Sequence, residues 1–257
     1  PAALETTDNA SEDFFKEIKS LNPDGYIVGI GSGSILTILK AFTKRRQPKG
    51  LIMVDINPYV VTAGKVLIEV LQNSTNPADV LTSLYSPGAY GSHADKVLQE
   101  DPQLKKATKR WRVEQPRYYM PNIPDFSRFR PSPIHTDVPT AIFQNFEILQ
   151  QMAKDGRMAS VYADFSNPDL TKAVTALPGF RESTNVIFTS NALDLQTKVN
   201  EPHEMGTFVN LKDYDNPGKD SVFVTCPQVK GLEMEFTRSY DDLEELYQHY
   251  YVQENLL

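Results

Sequence analysis

The residues that suggest chemistry are three alternating glycines, Gly29, Gly31 and Gly33, with Ser32 between the last two, in the stretch GYIVGIGSGSILTILKAF. Glycine costs conformational entropy wherever it is fixed, so this spacing calls for a reason. An apolar run precedes them and a helical pattern follows. They therefore read as the tight turn between a strand and a helix, where backbone N–H groups point outward and no Cβ blocks a ligand. About twenty residues later a second apolar run ends in Asp55. A carboxylate there can accept hydrogen bonds from both hydroxyls of a ribose. A third run ends near Asp164, an acceptor suited to an exocyclic amino group such as that of adenine, and a fourth ends at Thr189-Ser190-Asn191. The dinucleotide pattern G-x-G-x-x-G does not fit, because Ser34 or Leu36 occupies its last position. No lysine follows a glycine at the phosphate-loop spacing.

These residues work together only if the elements carrying them are parallel strands. SEDFFKEIKSL reads as a helix with Ser11 as N-cap, Asn22 to Gly25 as a turn, Tyr26 to Ile30 as a buried strand and Ser34 to Arg46 as a helix. Leu51 to Asp55 is a second strand, and Asn57-Pro58 starts a helix running to about Gln72. Helix and strand alternate, which implies a parallel sheet with crossover helices. From about 75 to 150 the rhythm breaks. Six prolines lie between Pro116 and Pro139, and long irregular stretches inside a domain are commonly lids or binding loops. A helix resumes over Ala141 to Ala153. Strands then follow at Met158 to Asp164, Asn185 to Ser190, Ser221 to Thr225 and Leu232 to Thr237, the last two as an antiparallel pair. A helix over Asp169 to Leu177 separates the first two of these, and another over Asp241 to Val252 closes the chain.

The chain has 257 residues, 40% of them hydrophobic and 23% charged, with a net charge of -7. That size and balance fit one α/β domain, 1–257, with residues 75–155 inserted in it. The acidic balance disfavours nucleic acid or anionic membrane as the main partner. A single cysteine, Cys226, excludes an internal disulfide. No apolar run approaches the length of a spanning helix, and the polar start carries no signal region. The expectation is a cytoplasmic protein with its oligomeric state open.

VGIGSGS, LIMVDINP, VYADFSNPDL and NVIFTSNALD, in that order, resemble the motifs of class I S-adenosylmethionine-dependent methyltransferases. The resemblance covers roughly Tyr26 to Gln72 and Met158 to Leu195. It implies a mostly parallel Rossmann-like sheet with helices on both faces and a large insertion between the second and third strands. It implies S-adenosyl-L-methionine as cofactor and a small-molecule acceptor. By the same resemblance, Gly29, Gly31, Ser32 and Gly33 lie under the methionine and ribose, and Asp55 binds the ribose hydroxyls with Ile56 beside the adenine. Asp164, with Phe165 next to it, serves the adenine, and Asn191 and Ala192 border the methyl group and acceptor. One position departs from the family pattern: Ile27 stands where an acid usually helps hold the cofactor's amino group.

Other residues carry two readings each. Tyr118 and Tyr119, with Arg117, suit an acceptor pocket or the insertion's own core. His135 suits a catalytic role or an ordinary surface position, and Asn191 a place near the reaction or a helix cap. The basic run Lys105, Lys106, Lys109, Arg110 and Arg112 is read as a solvated helix face. No Cys/His spacing points to a metal.

Overall fold

The computed structural model describes residues 11–31, 33–43, 45–114, 138–165, 167–190, 211–215, 221–225, 234–243 and 245–246. Its centre is a six-stranded sheet: β1 (Tyr26–Ile30), β2 (Gly50–Asp55), β3 (Met158–Tyr162), β4 (Val186–Ser190), β5 (Val222–Thr225) and β6 (Glu235–Thr237). The spatial order is β3-β2-β1-β4-β5-β6. The first five strands run parallel, and β6 pairs antiparallel with β5.

Strand side chains alternate between the two faces, and both faces are covered, as parallel sheets require. On one face Ile27, Leu51, Met53, Val186, Phe188 and Val224 pack with apolar residues of α1 (Glu12–Ser20), α2 (Ser34–Thr37), α3 (Pro58–Asn73) and α7 (Val138–Lys154). On the other, Val28, Ile52, Val54, Ile187 and Phe223 pack against α8 (Pro168–Thr175), Phe180 and Tyr214. Ser11 caps α1 by accepting from the Phe14 N–H at 3.0 Å. Asn57 caps α3 by accepting from the Tyr59 N–H at 3.0 Å, with Pro58 next in line.

Two expectations from the sequence need correction. The helix expected over Ser34 to Arg46 is only α2 followed by a 3-10 turn, Ile38–Ala41, after which Phe42 turns extended. Every residue from Ile35 to Leu39 is buried, so packing and not an amphipathic face holds this segment. Thr43 then draws the Arg46 N–H to its carbonyl and hydroxyl oxygens, at 3.0 and 3.1 Å, a local turn that competes with helix.

The segment from 75 to 114 is not irregular. It forms α4 (Pro77–Tyr85), α5 (Pro87–Glu100) and α6 (Pro102–Glu114). Each opens on a proline that follows Asn76, Ser86 or Asp101. Proline belongs at the first helical position, where its missing N–H loses nothing and its φ is already set. These helices pack on α3 and on one another. Lys65–Asp101 and Lys96–Glu69 ion pairs, at 2.8 and 2.7 Å, join α3 to this layer.

Candidate functional site

The strand order reverses between β1, which leads through α2 to β2 on one side, and β4 on the other. In open α/β sheets ligands bind outside the carboxyl ends of the strands at such a reversal. The sequence places Gly31, Asp55 and the end of β4 there.

The glycines differ in what they do. Gly29 lies within β1, in register with Met53 and Phe188. A Cβ on it would stand 2.6 Å from the Phe188 Cβ and 2.7 Å from its carbonyl oxygen. Its small size is therefore needed for strand packing. Gly31 follows the strand with φ +84°, and a Cβ there would meet none of the described residues within 4 Å. Its N–H donates to the Val54 carbonyl at 3.1 Å. The turn is thus pinned to the end of β2, and no described residue crowds its outer side. Gly33 is buried and right-handed, φ -83°, ψ -53°, at the start of α2. Ser32 lies outside the described residues.

Asp55 ends β2 and is partly buried. Its Oδ1 accepts the Asn57 N–H at 2.7 Å. Burial pushes its carboxyl up from the ordinary 3.8 to about 6, partly offset by the Asn57 and Ile56 backbone N–H groups. Among the described residues no charged partner contributes to this shift. A carboxylate so placed is short of hydrogen bonds to its ionised form, and hydroxyl donors from a ligand would supply them. Ile56, next in the chain, is 53% exposed.

Asp164 lies two residues beyond β3 and is exposed; its carbonyl accepts the Asn167 N–H at 3.0 Å. Phe165 is buried and stacks on Tyr214 with ring centroids 5.6 Å apart, so its ring belongs to the core below the edge. At the end of β4 the pairing with β5 shifts register between Phe188 and Ser190. Irregularities of this kind re-aim strand ends and are common beside active sites. Ile27, two residues before Gly29, is fully buried in the core. Asn191, Tyr119 and His135, expected near the reaction, lie outside the described residues, as do Tyr118 and Cys226.

Among the described residues that end β1 to β4 or follow them directly, the charged side chains are Asp55 and Asp164, and there is no lysine, arginine or histidine. The helix after the glycine turn has four residues. It runs straight on into the 3-10 turn Ile38–Ala41, so the regular α-helix that backs a Rossmann phosphate site is short here. The edge suits a polar, uncharged or cationic ligand that donates hydrogen bonds. Elsewhere, a groove of about 740 Å³ between α3, α5 and α6 is lined by Lys65, Glu69, Lys96, Glu100 and Asp101. It lies away from the carboxyl edge, and Lys65–Asp101 and Lys96–Glu69 are paired within it. The basic residues of α6, Lys105, Lys106, Lys109, Arg110 and Arg112, are exposed on that helix. No helix among the described residues is long and apolar enough to cross a membrane.

The sequence reading missed Tyr162. It ends β3 as the register partner of Asp55 and is 46% exposed. The signal available was a tyrosine two residues before Asp164 in VYAD, at a strand end. The fold defines an α/β protein with a six-stranded, mostly parallel sheet whose strand order reverses between β1 and β4. No family model matches the chain, and no curated protein matches it significantly.

Proposed function

We propose that the carboxyl edge at the strand-order reversal holds the adenosyl group of S-adenosyl-L-methionine and that the protein is a methyltransferase acting on a small-molecule acceptor. The observation that carries this reading is the pairing of Asp55 with Gly31. A partly buried carboxylate with no counter-charge among the described residues sits at the end of β2, and the glycine turn, uncrowded by any described residue, is tied to the same strand end. A ribose with two hydroxyl donors answers the first. A ligand needing close backbone approach answers the second. The absence of basic side chains at these described strand ends, with the four-residue α2, weighs against a phosphate-bearing dinucleotide. The order β3-β2-β1-β4-β5, with an antiparallel β6, supports a Rossmann-like sheet of the methyltransferase type, with residues 75–155 as the insertion between β2 and β3.

When bound, the cofactor supplies an electrophilic methyl group on a sulfonium. The chain's part is to hold and align. Asp55 accepts the ribose hydroxyls, the Gly31 turn leaves room for the chain beyond the ribose, and Asp164 is near enough in sequence to β3's end to serve the base. Aligning the acceptor behind the S–CH₃ bond and excluding water account for most of what such a site must do. A general base is needed only for an acceptor that arrives protonated.

A second reading draws on Ile27. Its complete burial in the core leaves no carboxylate at that position for the cofactor's amino group. This favours either a different reaction of the sulfonium, such as aminocarboxypropyl transfer, cleavage or ring closure, or an adenosyl-binding module without catalysis. Isothermal titration with S-adenosylmethionine and S-adenosylhomocysteine tests the shared premise. Product analysis after incubation with candidate acceptors separates the readings: S-adenosylhomocysteine means methyl transfer, and methylthioadenosine means one of the alternatives. Failure of the wild-type protein to bind either nucleoside rules out the proposal.

A further inference from the structure

Four large apolar side chains stand exposed among the described residues, and two of them, Ile56 and Tyr162, are at the carboxyl edge. A single exposed apolar side chain needs no explanation. These two, however, flank one partly buried carboxylate. Ile56 follows Asp55 in the chain, and Tyr162 is its register partner across the β2–β3 pair. Facing residues of neighbouring parallel strands leave the sheet on the same side, about 4.8 Å apart. Two residues earlier on that side, Ser160 donates its hydroxyl to the Val61 carbonyl of α3 at 3.0 Å. The helix is thus fastened to this face at Ser160, which is buried, whereas Tyr162, two residues nearer the edge, is 46% exposed. Its partly exposed side chain stands on the strand next to the group that would hold a ribose.

We propose that Tyr162 is a base-binding residue: the nucleobase of a ribonucleoside anchored at Asp55 stacks on its ring, with Ile56 as the second apolar contact. This rests on the adenosyl reading above and adds to it the surface that recognises the base. An aromatic face suits a planar base, because stacking uses the area of both rings and leaves the phenol hydroxyl in water. On this account the base contributes affinity through Tyr162, and the ribose contributes it through Asp55.

The experiment compares the wild-type protein with Tyr162→Phe and Tyr162→Ala. Two probes are used: S-adenosylhomocysteine, and S-ribosylhomocysteine, which keeps the ribose and tail but has no base. Titration should show Tyr162→Phe within about two-fold of wild type for S-adenosylhomocysteine. Tyr162→Ala should bind it about ten-fold more weakly, the size of effect expected for losing one base–aromatic stack. Affinity for the base-free probe, measured by competition, should be the same in all three proteins. If Tyr162→Ala loses its fold on thermal melting, Tyr162→Leu replaces it, with the same expected loss. Binding of S-adenosylhomocysteine by the alanine variant within two-fold of wild type overturns the proposal. So does an equal loss for both probes, which would mark Tyr162 as structural support for the edge. A wild-type protein that binds neither probe overturns this proposal together with the adenosyl reading on which it rests.

Discussion

Gly29 and Gly31 are two residues apart and must be glycine for different reasons, which gives them different mutant behaviour. A methyl group on Gly29 runs into Phe188. Gly29→Ala should therefore destabilise the fold by about 1–3 kcal/mol through overpacking, seen as a lower melting temperature with or without ligand. At Gly31 no described residue would meet the methyl group, but φ is +84°. Gly31→Ala should cost about 1–2 kcal/mol of backbone strain, while Gly31→Val should also block the proposed site. A folded Gly31→Val protein that binds S-adenosylhomocysteine normally would mean the turn is only a turn. Asp55 links this site to pH. Its carboxyl is raised to about 6 in the folded state against an ordinary 3.8. The folded protein thus holds a proton that the unfolded chain has already lost over that interval. Stability of the free protein should fall as pH rises from about 4 to about 6, by at most about 3 kcal/mol. Asp55→Asn should remove that slope and raise the melting temperature at neutral pH. Asp55→Ala should weaken S-adenosylhomocysteine about ten-fold or more, since hydrogen bonds to a charged acceptor contribute roughly 1.5–3 kcal/mol. Unchanged affinity in the folded alanine variant would remove Asp55 from the site.

At the scale of elements, the parallel core was legible because its strands are short, mainly apolar runs, the first leading into a glycine turn and the second ending in an acid. Tyr26–Ile30, Gly50–Asp55 and Val186–Ser190 match the expected strands to within a residue or so, and β5 and β6 form the expected antiparallel pair. The helices from 77 to 114 were not read as regular elements, apart from the basic face of α6, because the irregular reading drawn from the prolines between 116 and 139 was extended back to about 75. In the fold, α3, α4, α5, α6 and α8 each begin with proline directly after Asn, Ser or Asp. Asn57 had disclosed this signature at α3, and it recurs at Asn76 and Asp101. The Asn76 side chain accepts the Asp79 N–H at 3.0 Å, and Asp101 accepts the Leu104 N–H at 2.9 Å. Asn76→Ala should cost about 1 kcal/mol, a fall of about 2–4 °C in Tm for a chain of this size. An unchanged Tm would show that α4 is held by its packing on α3, α5 and α7 without help from its cap. The carboxyl ends of the strands could be read from glycine and acid spacing, and the strand-end tyrosine of VYAD was visible too. That it faces Asp55 depends on the β2–β3 register, which no local pattern carries.

At the scale of the whole molecule, the helices α4, α5 and α6 form a layer on α3 and not on the sheet. Their buried apolar side chains are few: Val80, Leu84, Val97 and Leu104. By contrast α3 alone buries Val61, Ala63, Val66, Leu67, Val70 and Leu71. A layer with so little buried apolar surface should open at lower free energy than the sheet it overlies. Hydrogen exchange should therefore be slowest in β1, β2 and β4, and faster through α4 to α6. Ligand binding then gives a spatial test. If the site is at the strand-order reversal, saturating S-adenosylhomocysteine should slow exchange at Gly31, from Asp55 to Tyr59 and around Tyr162. The helices α4 to α6, joined to α3 along Lys65, Glu69 and Lys96 away from that edge, should gain no more than the general stabilisation that binding gives the native state. A gain across α4 to α6 equal to that at the strand ends would mean that this layer closes over the ligand. Protection that rises along the groove beside Glu69 while the strand ends stay unchanged would place the binding site between α3, α5 and α6 instead.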